Sequence, residues 1–203
     1  LALRLHGGRG RKLHFTAKLA TLDGEKANIT NAQEAQQAVE RIQKAHFAVY
    51  SVKHGEKRKS PAAPFTTSSL QQEASRKLGF TTARTMQVVQ QLYEGVDLEG
   101  EGTQGIVSYI RTDSVRIADE ARTAAAEFID GRFGKEYMAP GGKGRVFKGK
   151  SGAQDAHEAI RPSVPSLTPD EAEKSISGDI AKLYRLIWSR FIASQMANAL
   201  YDV

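Results

Sequence analysis

The 203 residues include 40% hydrophobic side chains, enough for one large core or two small ones, and no cysteine, which excludes disulfides and thiolate metal sites. No run approaches the roughly 18 apolar residues of a membrane span, and no basic patch, apolar run and cleavage site combine at the start, so neither a span nor a signal peptide is expected. A cytoplasmic protein without membrane attachment fits, and a chain that opens on Leu1 and stops at Tyr201-Asp202-Val203 is expected to be part of something longer. The net charge of +6 and pI near 9.5 call for an anionic partner. The cations cluster: Arg4, Arg9, Arg11 and Lys12; then Lys53, Lys57, Arg58 and Lys59; then Lys143, Arg145, Lys148 and Lys150, all in glycine-containing, flexible-looking segments. Any one group reads as a solvated loop; three together are better explained by a phosphate backbone.

Residues 13 to 22 alternate Leu13, Phe15, Ala17 and Leu19 with more polar neighbours, the period of a half-buried strand, and Asp23-Gly24 supplies a turn. Asn31 with Glu34 makes a capping pattern for a helix bearing Ala35, Val39 and Ile42, and Phe47 to Lys53 reads as a further strand. The charges, glycine and prolines of residues 54–64 have the composition of a linker, with a boundary near residue 62. Beyond it, Thr67 or Ser68 caps a helix carrying Leu70, Ala74 and Leu78. After Gly79, Thr82 starts another with Met86, Val89 and Tyr93. Two helices across so short a turn resemble a helix-turn-helix that would offer Arg84, Gln87 and Gln91 to nucleic acid, or are an ordinary helical hairpin. Residues 94–105 read as a glycine-rich loop.

The most informative stretch is Val107-Ser108-Tyr109-Ile110-Arg111-Thr112-Asp113-Ser114. In a strand, Val107, Tyr109 and Arg111 share a face, with Arg111 roughly 7 Å from Tyr109 at its Cα, so the guanidinium can reach whatever the phenol attacks. Ser114 or Asp113 then caps a helix bearing Ile117, Ala121, Ala125, Phe128 and Ile129, ended by Gly131. The tyrosine is expected at a strand-to-helix junction.

Gly141, Gly142, Gly144, Gly149 and Gly152 make a basic segment without the lysine-serine ending of a nucleotide-binding loop, so no ATP site is expected. In Ala153-Gln154-Asp155-Ala156-His157-Glu158-Ala159-Ile160-Arg161-Pro162, a helical turn would put His157 and Arg161 on one face, two donors converging on a phosphate, until Pro162 ends it. Zinc binding would want a second histidine or a cysteine nearby, and none is present; a structural histidine remains open. Thr168-Pro169-Asp170-Glu171 is a capping box. Asp179 then opens a long helix whose Ile180, Leu183, Tyr184, Ile187, Trp188, Phe191, Ile192 and Met196 recur at helical spacing, a core helix and not a platform for bases.

Four ordered motifs carry a family resemblance: Pro64 to Ala74, Leu92-Tyr93-Glu94-Gly95, Ser108 to Ser114, and His157 to Pro162. Together they resemble bacterial DNA topoisomerase I, a type IA topoisomerase, strongly from about residue 61 to 203 and loosely over 1 to 60. The resemblance implies an α+β fold: residues 1–61 in a strand-rich arch, 62–178 in a mostly α-helical domain bearing the active-site tyrosine, and 179–203 a helix and strand rejoining the arch. It implies that Tyr109 is the nucleophile that holds the 5′ phosphate of single-stranded DNA, and that Arg111 positions the scissile phosphate. His157 and Arg161 are then expected near the bound strand, with Arg84 and Asp113 as further DNA contacts. Glu158-Ala159-Ile160-Arg161 favours topoisomerase I over topoisomerase III, and Ile110 stands where methionine is commoner.

The same resemblance implies Mg²⁺ in the intact enzyme, held by acidic residues of a Toprim domain that this chain lacks, and partners comprising negatively supercoiled or single-stranded DNA with the Toprim and C-terminal domains of one polypeptide. Relaxation would need no ATP, and this segment alone would bind single-stranded DNA without cutting it. Two other readings stay open: a helix-turn-helix DNA-binding module without catalysis, which predicts sequence-specific duplex binding, and a structural hinge, which predicts no DNA affinity.

Overall fold

A computed structural model describes residues 17–147 and 157–203, in two compact units divided after Lys53. Leu13, Phe15, the first basic group, Lys148, Lys150 and residues 153 to 156 lie outside the described residues.

In the first unit β1 (Thr21–Leu22) and β2 (Glu25–Lys26) pair antiparallel across Asp23 and Gly24, whose φ of 53° and 88° are both positive, as a two-residue hairpin turn requires. The long strand expected over 13 to 22 thus reduces, among the described residues, to its last two positions. Helix α1 (Ala32–Lys44) starts as expected, with Asn31 Oδ1 accepting from Glu34 N at 2.9 Å. Glu34 reaches one residue further back than a capping box, accepting from Thr30 N at 2.8 Å. Ala38 is buried on α1, with Ala35, Val39 and Ile42 half-buried beside it. Arg41 donates to both oxygens of Asp23, tying helix to turn. Phe47 to Lys53 does not form the expected strand: it pairs with no described residue, and Val49, Tyr50 and Val52 stand exposed. Strand-favouring side chains do not suffice where the backbone has no ladder to join.

In the second unit the segment expected as a linker is instead a strand. Here β3 (Glu56–Lys59) pairs antiparallel with β6 (Ala199–Asp202), Glu56 opposite Asp202, and Gly55 and Val203 exchange backbone hydrogen bonds beyond the ladder. Helix α2 (Thr67–Leu78) is capped by Thr66, one residue before the expected cap, in a reciprocal exchange with Ser69. It ends on Gly79 at φ 68°, a left-handed conformation that costs a residue with a Cβ far more than glycine. Helix α3 (Thr82–Glu94) follows, buries Thr85, Val88, Val89 and Leu92, and passes into a hairpin of β4 (Val96–Leu98) and β5 (Gly102–Gln104) where a plain loop was expected.

Helix α4 (Asp119–Phe133) is preceded by Ala118 at the cap position, later than the expected Asp113 or Ser114. Thr112 and Ser114 turn their hydroxyls to nearby backbone instead, Oγ1 of Thr112 accepting from Ser114 N at 3.0 Å and Oγ of Ser114 from Arg116 N at 3.1 Å, which holds the chain out of a helix. The helix runs through Gly131 and stops at Gly134. The capping box at Thr168 forms and opens the short α5 (Pro169–Ala172).

Helix α6 (Gly178–Gln195) is the spine of the unit. Its Ala181, Leu183, Tyr184 and Ile187 join Phe65, Leu70, Val89, Leu92, Ile106 and Ile160 in the larger core, and its Phe191 and Ile192 join Ile117, Ala121, Ala125 and Ile129 of the α4 side in the smaller. Each fully buried leucine, isoleucine, valine or phenylalanine among them contributes about 1.5–3 kcal/mol. Trp188 packs against both cores, meets Phe128 edge-on at 5.6 Å and donates its indole N–H to Pro165 O. The architecture is α+β, as expected.

Candidate active site around Tyr109

Residues 106–114 form no strand of a sheet and bend at Ile110 and Arg111: Val107 makes one antiparallel bridge, to Pro162, and the rest is held by separate backbone and side-chain hydrogen bonds. Burial alternates from Tyr109 on, with Tyr109, Arg111 and Asp113 exposed and Ile110, Thr112 and Ser114 buried. Tyr109 and Arg111 are therefore both exposed, but the bend between them replaces the expected strand, and Val107 is buried. Thr67, in the first turn of α2, grips this stretch. Its N–H donates to Thr112 O at 2.9 Å, its Oγ1 accepts from Thr112 N at 2.9 Å, and its hydroxyl faces Ile110 O at 2.7 Å. On the other side of Tyr109, Ser108 N donates to Arg161 O at 2.9 Å, and Ser108 Oγ donates to Ala159 O at 2.8 Å while accepting from Arg161 N at 3.0 Å.

That bonding corrects the second motif. His157 to Pro162 is not a helical turn, because its backbone groups are spent across the chain: Ala159 N on Arg116 O, Ile160 N on Phe65 O and Arg161 O on Ser108 N. His157 nevertheless comes to the tyrosine, its ring centroid 5.9 Å from that of Tyr109 with planes tilted by 35°. Arg161 turns elsewhere, with Nε on Glu158 at 2.8 Å and Nη1 on Pro162 O at 3.1 Å.

A third aromatic ring closes the group. Tyr93, near the end of α3, meets Tyr109 edge-on, with centroids 5.7 Å apart and planes at 72°. The approach depends on Gly105, where a Cβ would lie 2.3 Å from Tyr93 O, and on Ile106 N, which donates to Leu92 O at 2.9 Å. The sequence placed Tyr93 among the apolar positions of α3 and in the Leu92–Gly95 motif without a role; its contact with Tyr109 depends on the chain returning through the β4–β5 hairpin, which no local pattern reveals. Thr67 stood in the Pro64–Ala74 motif and was given no role beyond a helix cap.

The anticipated site residues separate into two groups. Tyr109 is 45% exposed, Arg111 and Asp113 are exposed without a hydrogen bond or ion pair among the described residues, and His157 has its ring contact alone. Arg84 is committed elsewhere, paired with Asp179 at the start of α6 and stacked 4.8 Å from the Phe80 ring centre. Arg161 is likewise committed to Glu158. An exposed phenol beside an imidazole, with an exposed guanidinium two residues on, suits nucleophilic attack on an anionic ester. A carboxylate only accepts hydrogen bonds, so Asp113 suits a base amine or a cation and not a phosphate oxygen. Among the described residues no three His, Cys, Asp or Glu side chains gather to hold a metal ion, so the residues here do not fit a Mg²⁺ site.

A DNA topoisomerase family model matches residues 11–203. The chain belongs to the DNA topoisomerase family. It is also similar to full-length topoisomerase I from Thermotoga maritima, with a TM-score of 0.68 and 39% identity over 90% of this chain, and it spans 28% of the length of that protein. Both matches place it with the bacterial type IA topoisomerases. No helix among the described residues is long and apolar enough to cross a membrane.

Proposed function

We propose that this chain is the tyrosine-bearing part of a topoisomerase that cuts one DNA strand, passes another through the gap and reseals it. Tyr109 Oη attacks the phosphorus of a phosphodiester in single-stranded DNA, the bond to the 3′ oxygen breaks, and the 5′ phosphate stays on the tyrosine while a 3′ hydroxyl is released. The phenol gives up its proton as it attacks, and the departing 3′ oxygen takes one up. Arg111 and His157 stabilise the charge that grows on the phosphoryl oxygens. One ester replaces another of similar energy, so the hydroxyl can reverse the step and no ATP is consumed. The observation that carries this reading is the exposed Tyr109 with the His157 ring centre at 5.9 Å and, two residues on, an exposed Arg111 without a partner among the described residues.

In this reading Arg84 and Arg161 belong to the scaffold, and Mg²⁺ acts from acidic residues elsewhere in a longer cytoplasmic polypeptide. The segment alone binds single-stranded DNA weakly and does not cut it. The helix-turn-helix reading loses support because α3 spends its apolar face on the core and its Arg84 on Asp179.

The test incubates the full-length protein carrying this segment with a 3′-labelled single-stranded oligonucleotide and Mg²⁺, then resolves the products on a denaturing gel. A labelled protein band is expected, absent from Tyr109→Phe. An equally strong band in Tyr109→Phe would refute the assignment, and metal-dependent cutting by the isolated segment would refute the division of labour.

A further inference from the structure

Tyr109 has little of its own to hold it. It sits on a stretch outside any sheet that bends at the next two residues, 45% exposed, with no hydrogen bond to its phenol oxygen among the described residues. A tyrosine on such a stretch rotates among its staggered χ1 wells, and only one of them can present Oη in line with a scissile bond. Two rings restrict it, His157 tilted on one contact and Tyr93 edge-on in the other. Tyr93 rises from a helix whose neighbouring Leu92 is fully buried and whose end is locked to the Tyr109 stretch by the Ile106–Leu92 hydrogen bond and the Gly105 close approach.

We propose that Tyr93 is a positioning residue for the cleavage step: its ring is the fixed wall against which Tyr109 is held in the attacking rotamer. The wall acts through ring shape and the edge-to-face attraction, and not through its hydroxyl, which has no partner among the described residues. Restricting the nucleophile in this way lowers the entropy lost on reaching the attack geometry, and misplacement by about 1 Å can slow a reaction about a hundredfold. The inference rests on Tyr109 being the nucleophile.

Single-turnover cleavage of a 3′-labelled oligonucleotide by the full-length protein, with Tyr93→Phe, Tyr93→Leu and Tyr109→Phe beside the wild type, tests both statements separately. Tyr93→Phe is expected to cleave at the wild-type rate. Tyr93→Leu, which keeps an apolar side chain at the helix end, is expected to cleave about ten- to a hundredfold more slowly. Its final adduct amplitude and oligonucleotide Kd should stay within about twofold of wild type, whereas a partly unfolded enzyme would lose amplitude and keep its rate. Wild-type rates in Tyr93→Leu, or a loss confined to Kd, with Tyr109→Phe still inactive, would overturn the positioning role and leave the nucleophile assignment standing. Adduct formation by Tyr109→Phe would overturn both.

Discussion

Thr67 and Thr112 hold each other by two backbone-directed bonds: the Thr67 N–H donates to Thr112 O, and the Thr67 hydroxyl oxygen accepts from Thr112 N, each at 2.9 Å. A residue in the first turn of α2 thereby fixes a stretch 45 positions further along the chain, immediately beside Tyr109 and Arg111. The first turn of a helix has backbone N–H groups without intrahelical partners, and this fold uses one of them to hold the candidate nucleophile's strand.

Thr67→Val should leave the N–H of buried Thr112 without an acceptor, at a cost of about 1–3 kcal/mol, while Thr67→Ser keeps the oxygen and should cost under about 1 kcal/mol. Urea unfolding monitored by Trp188 fluorescence measures both. Equal midpoints for Val and Ser would mean that Thr67 does not secure the stretch.

Gly105 lies with its missing Cβ aimed at backbone, 2.3 Å from Tyr93 O, and backbone cannot swing away as a side-chain tip can. Gly105→Ala should therefore separate the α3 terminus from the Tyr109 stretch and cost about 1–3 kcal/mol. The same variant should slow adduct formation, because it moves Tyr93 and Tyr109 apart together. A variant of wild-type stability and cleavage rate would show that the junction relaxes freely.

Gly79, by contrast, was legible from the sequence as a helix end, as were the periodic faces of α2, α3 and α6, because these depend on residues close in the chain. What the sequence misjudged depended on distant partners. Phe47 to Lys53 has strand composition but no ladder among the described residues, while the charged Glu56–Lys59 forms β3 because Ala199–Asp202 lies opposite. His157 to Arg161 has helical spacing, yet Phe65, Ser108 and Arg116 take up its backbone groups. The candidate site was half legible for the same reason. The closeness of Tyr109 and Arg111 in the chain is a local property, whereas the contacts of Tyr93 and His157 with Tyr109, and the diversion of Arg84 to Asp179, are tertiary.

Tyr184 is buried in the larger core and donates its hydroxyl to Leu167 O at 2.7 Å. Burial, assisted by the negative charge of Glu171, raises its pKa well above the ordinary value. The folded protein thus keeps the phenol protonated after the unfolded chain has begun to ionise near pH 10, so the unfolded state binds fewer protons and stability must fall as pH rises above about 10. Tyr184→Phe should weaken this alkaline loss and, at neutral pH, cost about 1–3 kcal/mol for the carbonyl left bare. Thermal unfolding at pH 8 and pH 10.5 measures both effects; an unchanged difference between the two pH values would place the alkaline sensitivity elsewhere.

Glu73 presents the opposite sign. Its side chain is buried among Lys77, Arg76 and Arg190, and the Arg190 guanidinium lies 4.4 Å from the Phe65 ring centre. Hydrogen bonding from Lys77 leads the causes that hold its carboxyl below the ordinary pKa. The resulting stabilisation is fully present above about pH 4.5 and is lost as pH falls through the depressed value. Glu73→Gln should flatten the acid limb of the stability profile in urea titrations between pH 6 and pH 3; an unaltered limb would assign the acid response to other carboxylates.

Arg111 and Arg161 are equally cationic and both belong to the motifs around Tyr109, but they should respond differently to salt. Arg111 is exposed and unpaired among the described residues, while Arg161 is mostly buried against Glu158. A cation that neutralises a phosphate releases condensed counterions, and each such contact on a single strand contributes about 0.7 to the slope of log K against log salt. Arg111→Ala should therefore reduce that slope by about 0.7 for a single-stranded oligonucleotide. Arg161→Ala should leave the slope unchanged and lower unfolding stability by about 1.5–3 kcal/mol, since it removes charged hydrogen bonds and strands Glu158. Fluorescence anisotropy titrations of the full-length protein from 50 to 300 mM salt separate the two. The reverse pattern, a slope that falls in Arg161→Ala and holds in Arg111→Ala, would move the phosphate contact from the Tyr109 stretch to the His157 stretch.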